Sequence, residues 1–272
     1  MLEGRKIGFV GAGNMAEALL SGLVQPHGSV PADSIWAADV AEARLQDLQE
    51  RYGVQTSLSN PDAVKAADIV ILAVKPQIMP MVLHDIAGYV DDGKLIISIA
   101  AGVKISVIQE GLQPTTRIIR TMPNVAALVH AGAAAISRGE HATDFDVQIA
   151  QAIFQAVGEA VLVDEKLMDA VTGLSGSGPG YVFAMLNALI DGGVNVGLPR
   201  PIATTLAMHT VYGAAKMMIE TGEHPMKLRD MVTSPGGTTI TGIHALEQGG
   251  LNAAFMNAVE AATRRSKELG HK

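Results

Sequence analysis

Hydrophobic residues in the first part of the chain occur in short runs, and amphipathic stretches separate these runs. The runs cover residues 7–10, 34–38, 69–74, 95–99 and 117–120. Near-continuous apolar runs of this length are typical of strands that are buried on both faces of a parallel sheet. The intervening stretches, such as residues 15–23 and 41–52, have the pattern of helices. Together they predict a doubly wound, mostly parallel α/β sheet.

The chain after Asp164 has helical patterns and no further strand patterns. Predicted helices cover residues 181–196, 201–221, 226–232, 238–248 and 251–269. We therefore predict a sheet domain at residues 1–164 and an all-helical domain at residues 165–272. Several of these helices are apolar on more than one face. This predicts that they pack against a second copy of the chain; the alternative is an unusually tight bundle core.

Composition and charge exclude several classes of protein. Of the 272 residues, 48% are hydrophobic and 17% are charged, so the chain can form a sizeable core and is not disordered. The net charge of −7 offers no basic stripe to a nucleic acid, and no apolar stretch is long enough to predict a membrane span. The absence of cysteine excludes disulfides and thiol nucleophiles. We expect a cytoplasmic protein with no bound metal, no nucleic-acid partner and no membrane partner.

A glycine-rich motif of the form G-x-G-x-x-A follows the first predicted strand directly. Its residues are Gly11, Ala12, Gly13, Asn14, Met15 and Ala16. In dinucleotide-binding folds, the first glycine permits a tight turn, the second lets the backbone approach a pyrophosphate, and the alanine lets helix and strand pack closely. The pyrophosphate binds free N–H groups at the helix N-terminus. The motif predicts a Rossmann-like domain that binds NADPH or NADH; the alternative is a turn that needs its glycines only for packing.

Three other residues of the predicted sheet domain bear on the cofactor. Asp39 follows the second strand, where a carboxylate accepts hydrogen bonds from the adenosine ribose and repels a 2′-phosphate, which favours NADH. Lys75 follows the strongest strand and is either a phosphate or ribose contact or a loop charge. Arg44 could pair with a phosphate, although a solvated helix charge is the simpler interpretation.

A second glycine-rich loop precedes the predicted helix at residues 238–248. It consists of Thr233, Ser234, Pro235, Gly236, Gly237, Thr238 and Thr239, the last two at the start of the helix. Backbone N–H groups in such a loop form a concave nest that suits a small carboxylate, and Thr239 can hydrogen-bond a neighbouring polar atom of the same ligand. Serine and threonine are also ordinary N-cap residues, so a capped helix after a turn is an equal alternative.

Four segments together are more specific than a general dehydrogenase pattern. They cover residues 9–16, 73–76, 169–179 and 232–239. In this order and at these spacings, the chain closely resembles the pyrroline-5-carboxylate reductase family over nearly its whole length. The resemblance implies reduction of the cyclic imine 1-pyrroline-5-carboxylate to L-proline by NADPH or NADH, the last step of proline biosynthesis. It also implies a homodimer formed through the C-terminal helices, which assembles into decamers in part of the family.

The resemblance also assigns roles to individual residues. The implied cofactor contacts are the six residues of the glycine motif with Asn60, Ala73, Val74, Lys75, Pro76 and Ala101. The implied carboxylate contacts are Ser234, Gly236, Gly237 and Thr238. Thr239 would hydrogen-bond the ring nitrogen and is the implied catalytic residue. No acid–base histidine or cysteine is needed, because a protonated cyclic imine is already an electrophile and mainly requires positioning.

The sequence leaves the cofactor preference open and offers two alternative functions. Family members that prefer NADPH tend to have small hydroxyl residues where this chain has Ala38 and Asp39. A β-hydroxyacid dehydrogenase would need a lysine as general base, and the helical part has Lys166 and then none before Lys216. A nucleotide sensor without turnover has no need for a second anion-binding loop.

Overall fold

The computed structural model describes residues 1–24 and 28–270, and the strands of this part form one eight-stranded sheet. The strands are β1 (Ile7–Val10), β2 (Ile35–Ala38), β3 (Gln55–Ser57), β4 (Ile69–Leu72), β5 (Leu95–Ser98), β6 (Arg117–Met122), β7 (Gly132–Arg138) and β8 (Gly158–Leu162). Their order is β3-β2-β1-β4-β5-β6-β7-β8, and all neighbours are parallel except β6 and β7. The predicted doubly wound, mostly parallel sheet is confirmed.

Helices connect the strands and then make up the second part of the chain. Those among the strands are α1 (Asn14–Leu23), α2 (Glu42–Tyr52), α3 (Asn60–Ala66), α4 (Met79–Ile86), α5 (Ile105–Glu110) and α6 (Asp144–Gln155). Those after the sheet are α7 (Met168–Val171), α8 (Gly178–Asn195), α9 (Arg200–Thr221), α10 (Pro225–Met231), α11 (Thr238–Gln248) and α12 (Leu251–Leu269). None of the helices in the described ranges is long and apolar enough to cross a bilayer.

Alternate residues of the central strands are buried on opposite faces of the sheet. In β4, Ile69 and Ile71 belong to the core that α1, α2 and α6 cover, whereas Val70 and Leu72 belong to the core under α3, α4 and α5. All four side chains are at most 1% exposed. Each such burial is worth about 1.5–3 kcal/mol. This two-sided burial explains why the strand is apolar at every position.

The sequence pattern missed three strands. The short edge strand β3 and the alanine-rich strand β7 have little of the β-branched and aromatic character on which strand prediction depends. β8 is likewise short and partly exposed. β7 is antiparallel to β6 because the segment between them, residues 123–131, is too short to form a crossover helix.

Contacts divide the chain into two compact units. The first comprises Met1–Ser177 and the residues from Ala261 onward, and the second comprises Gly178–Glu260. This division differs from the boundary at residues 164 and 165 predicted from the sequence. The end of α12 belongs to the first unit, where the Ser266 hydroxyl donates a 2.6 Å hydrogen bond to the Asp169 carboxylate.

The second unit is helical and buries little of its apolar surface within one chain. Its helices α8 and α9 approach closely, and a Cβ on Gly193 would lie 3.1 Å from the Cβ of Ala203. Large apolar side chains stay exposed, including Phe183 at 64%, Ile219 at 81% and Met256 at 73%. Extensive exposed apolar surface marks an interaction site in most proteins.

Asp146 gives a direct test of the packing in the first unit. Its carboxylate is fully buried, forms a 2.7 Å ion pair with Arg117, and accepts 2.8 Å hydrogen bonds from the Thr143 N–H and hydroxyl at the start of α6. We expect Asp146→Ala to lower the free energy of unfolding by about 3–5 kcal/mol, because it leaves these donors unpaired. Urea denaturation measures the loss. The control Asp144→Ala removes an exposed pair with Arg138 and should cost less than about 1 kcal/mol; equal losses would contradict this description.

Candidate functional site

The carboxyl ends of β1, β4 and β5 lie side by side, and three of the predicted cofactor segments follow them. Residues 11–16 follow β1, residues 73–76 follow β4, and Ala101 lies just beyond β5. The Ala73 N–H donates a 2.8 Å hydrogen bond to the Val10 carbonyl, which joins the first two segments. From β1 the chain continues to β2 and β3 on one side, and it then crosses from β3 to β4 on the other side of β1. Ligands of open α/β sheets bind at such a switch point.

The turn between β1 and α1 requires glycine at its first position. Gly11 has φ +94°, and a Cβ there would lie 2.6 Å from the Ala73 carbonyl oxygen. Ala12 and Ala16 are at most 1% exposed, so the beginning of α1 packs closely on the sheet. The sequence pattern predicted this turn. The structure shows why glycine is needed there, because the backbone at Gly11 closely approaches the backbone at Ala73.

The N-terminus of α1 is open to a ligand. Gly13 is the N-cap residue, and within the part of the chain that the structure describes no side chain caps the helix and no atom lies within 4 Å of a Cβ placed on Gly13. The N–H groups of the first turn, which include those of Asn14 and Met15, have no partner inside a helix. This concave surface of free N–H groups at a positive helix end fits a pyrophosphate.

Asp39 is tied to the backbone of the glycine motif. One carboxylate oxygen accepts a 2.8 Å hydrogen bond from the Ala12 N–H, and the other accepts one of 3.0 Å from the Ala41 N–H. The side chain is half-buried at the end of β2. It therefore holds the glycine-rich turn, and it does so at the position where an adenosine ribose is expected.

Arg44 is engaged on all three of its nitrogens. Nε donates a 2.8 Å hydrogen bond to the Ala12 carbonyl, Nη1 pairs with Asp47 at 3.1 Å, and Nη2 pairs with Glu17. Glu17 also pairs with Arg51 and accepts a 3.1 Å hydrogen bond from the Tyr52 hydroxyl. Neither sequence interpretation of Arg44, a phosphate contact or a solvated charge, included this cluster.

Asn60 and Lys75 lie at the periphery of this edge. Asn60 begins α3, and its amide donates a 3.0 Å hydrogen bond to Asp85 of α4. Lys75 is exposed before Pro76, and its side chain forms no ion pair within the described ranges. Their roles as cofactor contacts remain predictions.

A cleft of about 190 Å³ in the first unit borders Ala101. Its lining residues are Ala101, Gly102, Thr172, Ser177, Ala262, Arg265, Ser266 and Leu269. Thr172 opens a π-helical turn, Thr172–Gly176, which Asn124 holds by a 3.1 Å hydrogen bond to the Ser175 carbonyl. π-Helical turns are frequent at functional sites. The sequence analysis missed the contribution of α12, since residues far apart in the sequence form this cleft.

The second predicted constellation lies in the second unit, where residues 233–237 follow α10 and residues 238 and 239 begin α11. Gly236 has φ +66°, Gly237 is the N-cap residue of α11, and no side chain caps that helix. A Cβ on Gly237 would overlap the Ser234 hydroxyl, so a larger residue there would displace that side chain from its position. The capped-helix alternative considered from the sequence does not describe this loop.

Sequence comparison agrees with this arrangement. A sequence model described as "Pyrroline-5-carboxylate reductase dimerisation" matches residues 165–269, and one described as "NADP oxidoreductase coenzyme F420-dependent" matches residues 6–102. The pyrroline-5-carboxylate reductase of Methanosarcina acetivorans is 52% identical over 271 residues, with 100% of both chains covered. The chain belongs to the pyrroline-5-carboxylate reductase family. It is an oxidoreductase that reduces 1-pyrroline-5-carboxylate to L-proline with NAD(P)H.

Solved structures of pyrroline-5-carboxylate reductases have the same fold. The enzyme of Coxiella burnetii has a TM-score of 0.92 and 36% identity, covering 97% of this chain and 98% of that chain. The enzyme of Plasmodium falciparum, solved with NADP bound, has a TM-score of 0.87 and 32% identity, covering 98% and 99%. The predicted Rossmann-like domain, helical dimerisation domain and nicotinamide cofactor are thereby confirmed at the level of the family.

The two glycines of the first motif are expected to respond differently to substitution. Gly11→Ala should destabilise the fold by at least about 2 kcal/mol, because the Cβ strains a positive φ and overlaps the Ala73 carbonyl. Gly13→Ala should change stability by less than about 0.5 kcal/mol, yet weaken NADH binding about tenfold or more, since its Cβ enters the open space. Thermal unfolding and calorimetric titration measure the two effects. A stable Gly11→Ala variant, or a Gly13→Ala variant with normal affinity, would contradict this geometry.

The Glu17 cluster predicts a specific acid sensitivity. Burial alone would raise the pKa of Glu17, but hydrogen bonds from Arg44 and Tyr52 and the neighbouring guanidinium charges outweigh it, so the pKa lies below 4.5. The stability that the carboxylate contributes is therefore complete above pH 4.5 and is lost as the pH falls through the lowered pKa. The difference in unfolding free energy between wild type and Glu17→Gln should shrink from pH 7 to pH 3. A difference that is constant with pH would contradict the pairing.

Proposed function

We propose that the two glycine-rich loops of the reductase bind different ligands, one the cofactor and the other the substrate. The loop of the first unit holds the cofactor, through Gly11, Ala12, Gly13, Asn14, Met15 and Ala16 with Asp39, Asn60, Ala73, Val74, Lys75, Pro76 and Ala101. The loop of the second unit holds the imine substrate, through Ser234, Gly236, Gly237, Thr238 and Thr239. The observation that carries this proposal is that each loop leads into a helix whose N-terminus has no side-chain cap.

The substrate carboxylate suits the N-terminus of α11. The helix has 11 residues, and its free N–H groups and macrodipole favour a negative charge at this end. The positive φ of Gly236 turns the backbone into the helix, and the Ser234 hydroxyl packs against Gly237 on the rim of the loop. Ser234, Gly236, Gly237 and Thr238 are the residues that bind the carboxylate oxygens.

Thr239 interacts with the ring nitrogen. The carboxylate and the nitrogen of 1-pyrroline-5-carboxylate are attached to the same carbon, so a carboxylate at the loop places the nitrogen near the first turn of α11. Thr239 lies in that turn, and no hydrogen bond within the described part of the chain uses its hydroxyl. The hydroxyl accepts a hydrogen bond from the protonated imine and orients the ring. The nicotinamide cofactor supplies the hydride when it is bound.

Reduction of the imine requires few other groups from the protein. Addition of a hydride to the imine carbon converts the C=N bond to a C–N single bond, and the nitrogen retains its proton. The reaction therefore needs orientation and exclusion of water more than proton transfer from a strong acid or base. The two loops supply side-chain hydroxyl groups and backbone N–H groups, which suits this requirement.

The helical unit mediates assembly. Exposed apolar side chains such as Phe183, Ile219 and Met256 would be buried if the helices of two chains interlock, which favours a homodimer. We extend the proposal to a decamer built from five such dimers and to a cytoplasmic location, both carried over from the family resemblance. Neither nucleic acid nor membrane is a partner in this proposal.

Substitution of Thr239 tests the substrate assignment. Thr239→Val keeps the shape of the side chain but removes the hydroxyl, and should lower kcat by about 10²-fold with a smaller change in KM. Thr239→Ser restores the hydroxyl and should recover most of the rate. Steady-state oxidation of NADH and NADPH with 1-pyrroline-5-carboxylate measures both variants. A Thr239→Val enzyme with the wild-type kcat would exclude this role.

A further inference from the structure

The guanidinium of Arg44 lies near the predicted ribose position, but all three of its nitrogens already have partners in the first unit. Asp39 and Arg44 both bind the backbone of Ala12. The Ala12 N–H donates a hydrogen bond to Asp39, and the Ala12 carbonyl accepts one from Arg44. Both side chains therefore stand at the glycine-rich turn. In dinucleotide-binding domains, an arginine at this place accommodates the 2′-phosphate of NADP, whereas a carboxylate binds the ribose hydroxyls of NAD.

Glu17 keeps Arg44 from acting as such an arginine. It projects from α1, its side chain is only 15% exposed, and it pairs with the Nη2 of Arg44. Asp47 forms an ion pair with Nη1 at 3.1 Å, and the Ala12 carbonyl accepts a 2.8 Å hydrogen bond from Nε. A phosphate could recruit Arg44 only by displacing one of these partners, and of the two carboxylates Glu17 is less exposed to water than Asp47.

The charge balance of the cluster also opposes a 2′-phosphate. Glu17, Asp39 and Asp47 contribute three negative charges, and Arg44 and Arg51 contribute two positive charges, so the sum is −1. Within residues 1–24 and 28–270, no other lysine or arginine forms an ion pair with these three carboxylates. A 2′-phosphate would add a dianion to a site that already carries excess negative charge.

We propose that Glu17, by holding Arg44, makes this reductase prefer NADH to NADPH. The inference rests on the proposed dinucleotide site and adds the residue that determines specificity within it. Asp39 repels the 2′-phosphate directly, and Glu17 withholds the cation that would compensate. Removal of the Glu17 charge frees one edge of the Arg44 guanidinium and lowers the negative charge of the cluster.

The test separates the adenosine end of the cofactor from turnover. Calorimetric titration with 5′-AMP and 2′,5′-ADP, which differ only in the 2′-phosphate, gives the ratio of their dissociation constants. For wild type, we expect 2′,5′-ADP to bind about tenfold or more weakly than 5′-AMP. In Glu17→Gln the ratio should fall about tenfold or more, and NADPH affinity should rise relative to NADH in the same way.

Two further variants assign the effect to Arg44. Glu42→Gln makes the same charge change in the first turn of α2, at an exposed residue that forms no ion pair among the described residues, and should leave the ratio unchanged. Arg44→Met alone should not improve 2′,5′-ADP binding relative to 5′-AMP, because the guanidinium is already engaged and its loss makes the cluster more negative. The double variant Glu17→Gln/Arg44→Met should lose the gain in 2′,5′-ADP binding that Glu17→Gln alone shows.

Each contrary result has a distinct meaning. A wild type that binds 2′,5′-ADP as tightly as 5′-AMP overturns the proposal without any variant, even if Glu17→Gln fails to fold. Equal shifts in Glu17→Gln and Glu42→Gln, or a gain that persists in the double variant, overturn the role of Arg44. Folded wild-type protein that binds neither nucleotide nor NADH overturns the dinucleotide site itself, and this proposal with it.

Discussion

The proposed function depends on one kind of interaction, which is the binding of anions by free N–H groups at two helix N-termini. The first helix, α1, follows a turn that only glycine permits, because Gly11 has a positive φ and approaches the Ala73 carbonyl. The second, α11, follows a turn with a positive φ at Gly236. In both cases no side chain of the described residues caps the helix, and in the proposed function a bound anion takes the place of the cap. In this proposal, the same backbone feature binds two chemically different ligands.

This use of backbone donors fits the chemistry of an imine reductase. Backbone N–H groups are already fixed by the fold, so binding them costs little conformational entropy, and they do not titrate in the physiological range. A protonated imine needs no strong general acid. The charged side chains near the cofactor loop therefore have another task, which is to brace the loop, as Asp39 and Arg44 do through Ala12.

The sequence predicted those features that arise from local pattern. The apolar strands and the glycine-rich turn require particular residues at adjacent positions, so they are visible in one sequence. The strand β7 was missed because its alanines are strand-forming only through their neighbours in the sheet. The pairing of Glu17 with Arg44 joins residues that are 27 positions apart, and the cleft at Ala101 includes the end of α12. Such contacts arise from tertiary packing, which no local pattern encodes.

Competitive inhibition by two product analogues tests the central claim most directly. L-Proline and L-prolinamide share the ring and its nitrogen, but the amide has no negative charge to interact with the N-terminus of α11. The account predicts that L-proline competes with 1-pyrroline-5-carboxylate and that L-prolinamide inhibits about tenfold or more weakly. Equal inhibition by the two compounds would show that the loop at residues 234–239 does not recognise the carboxylate, and would contradict the account.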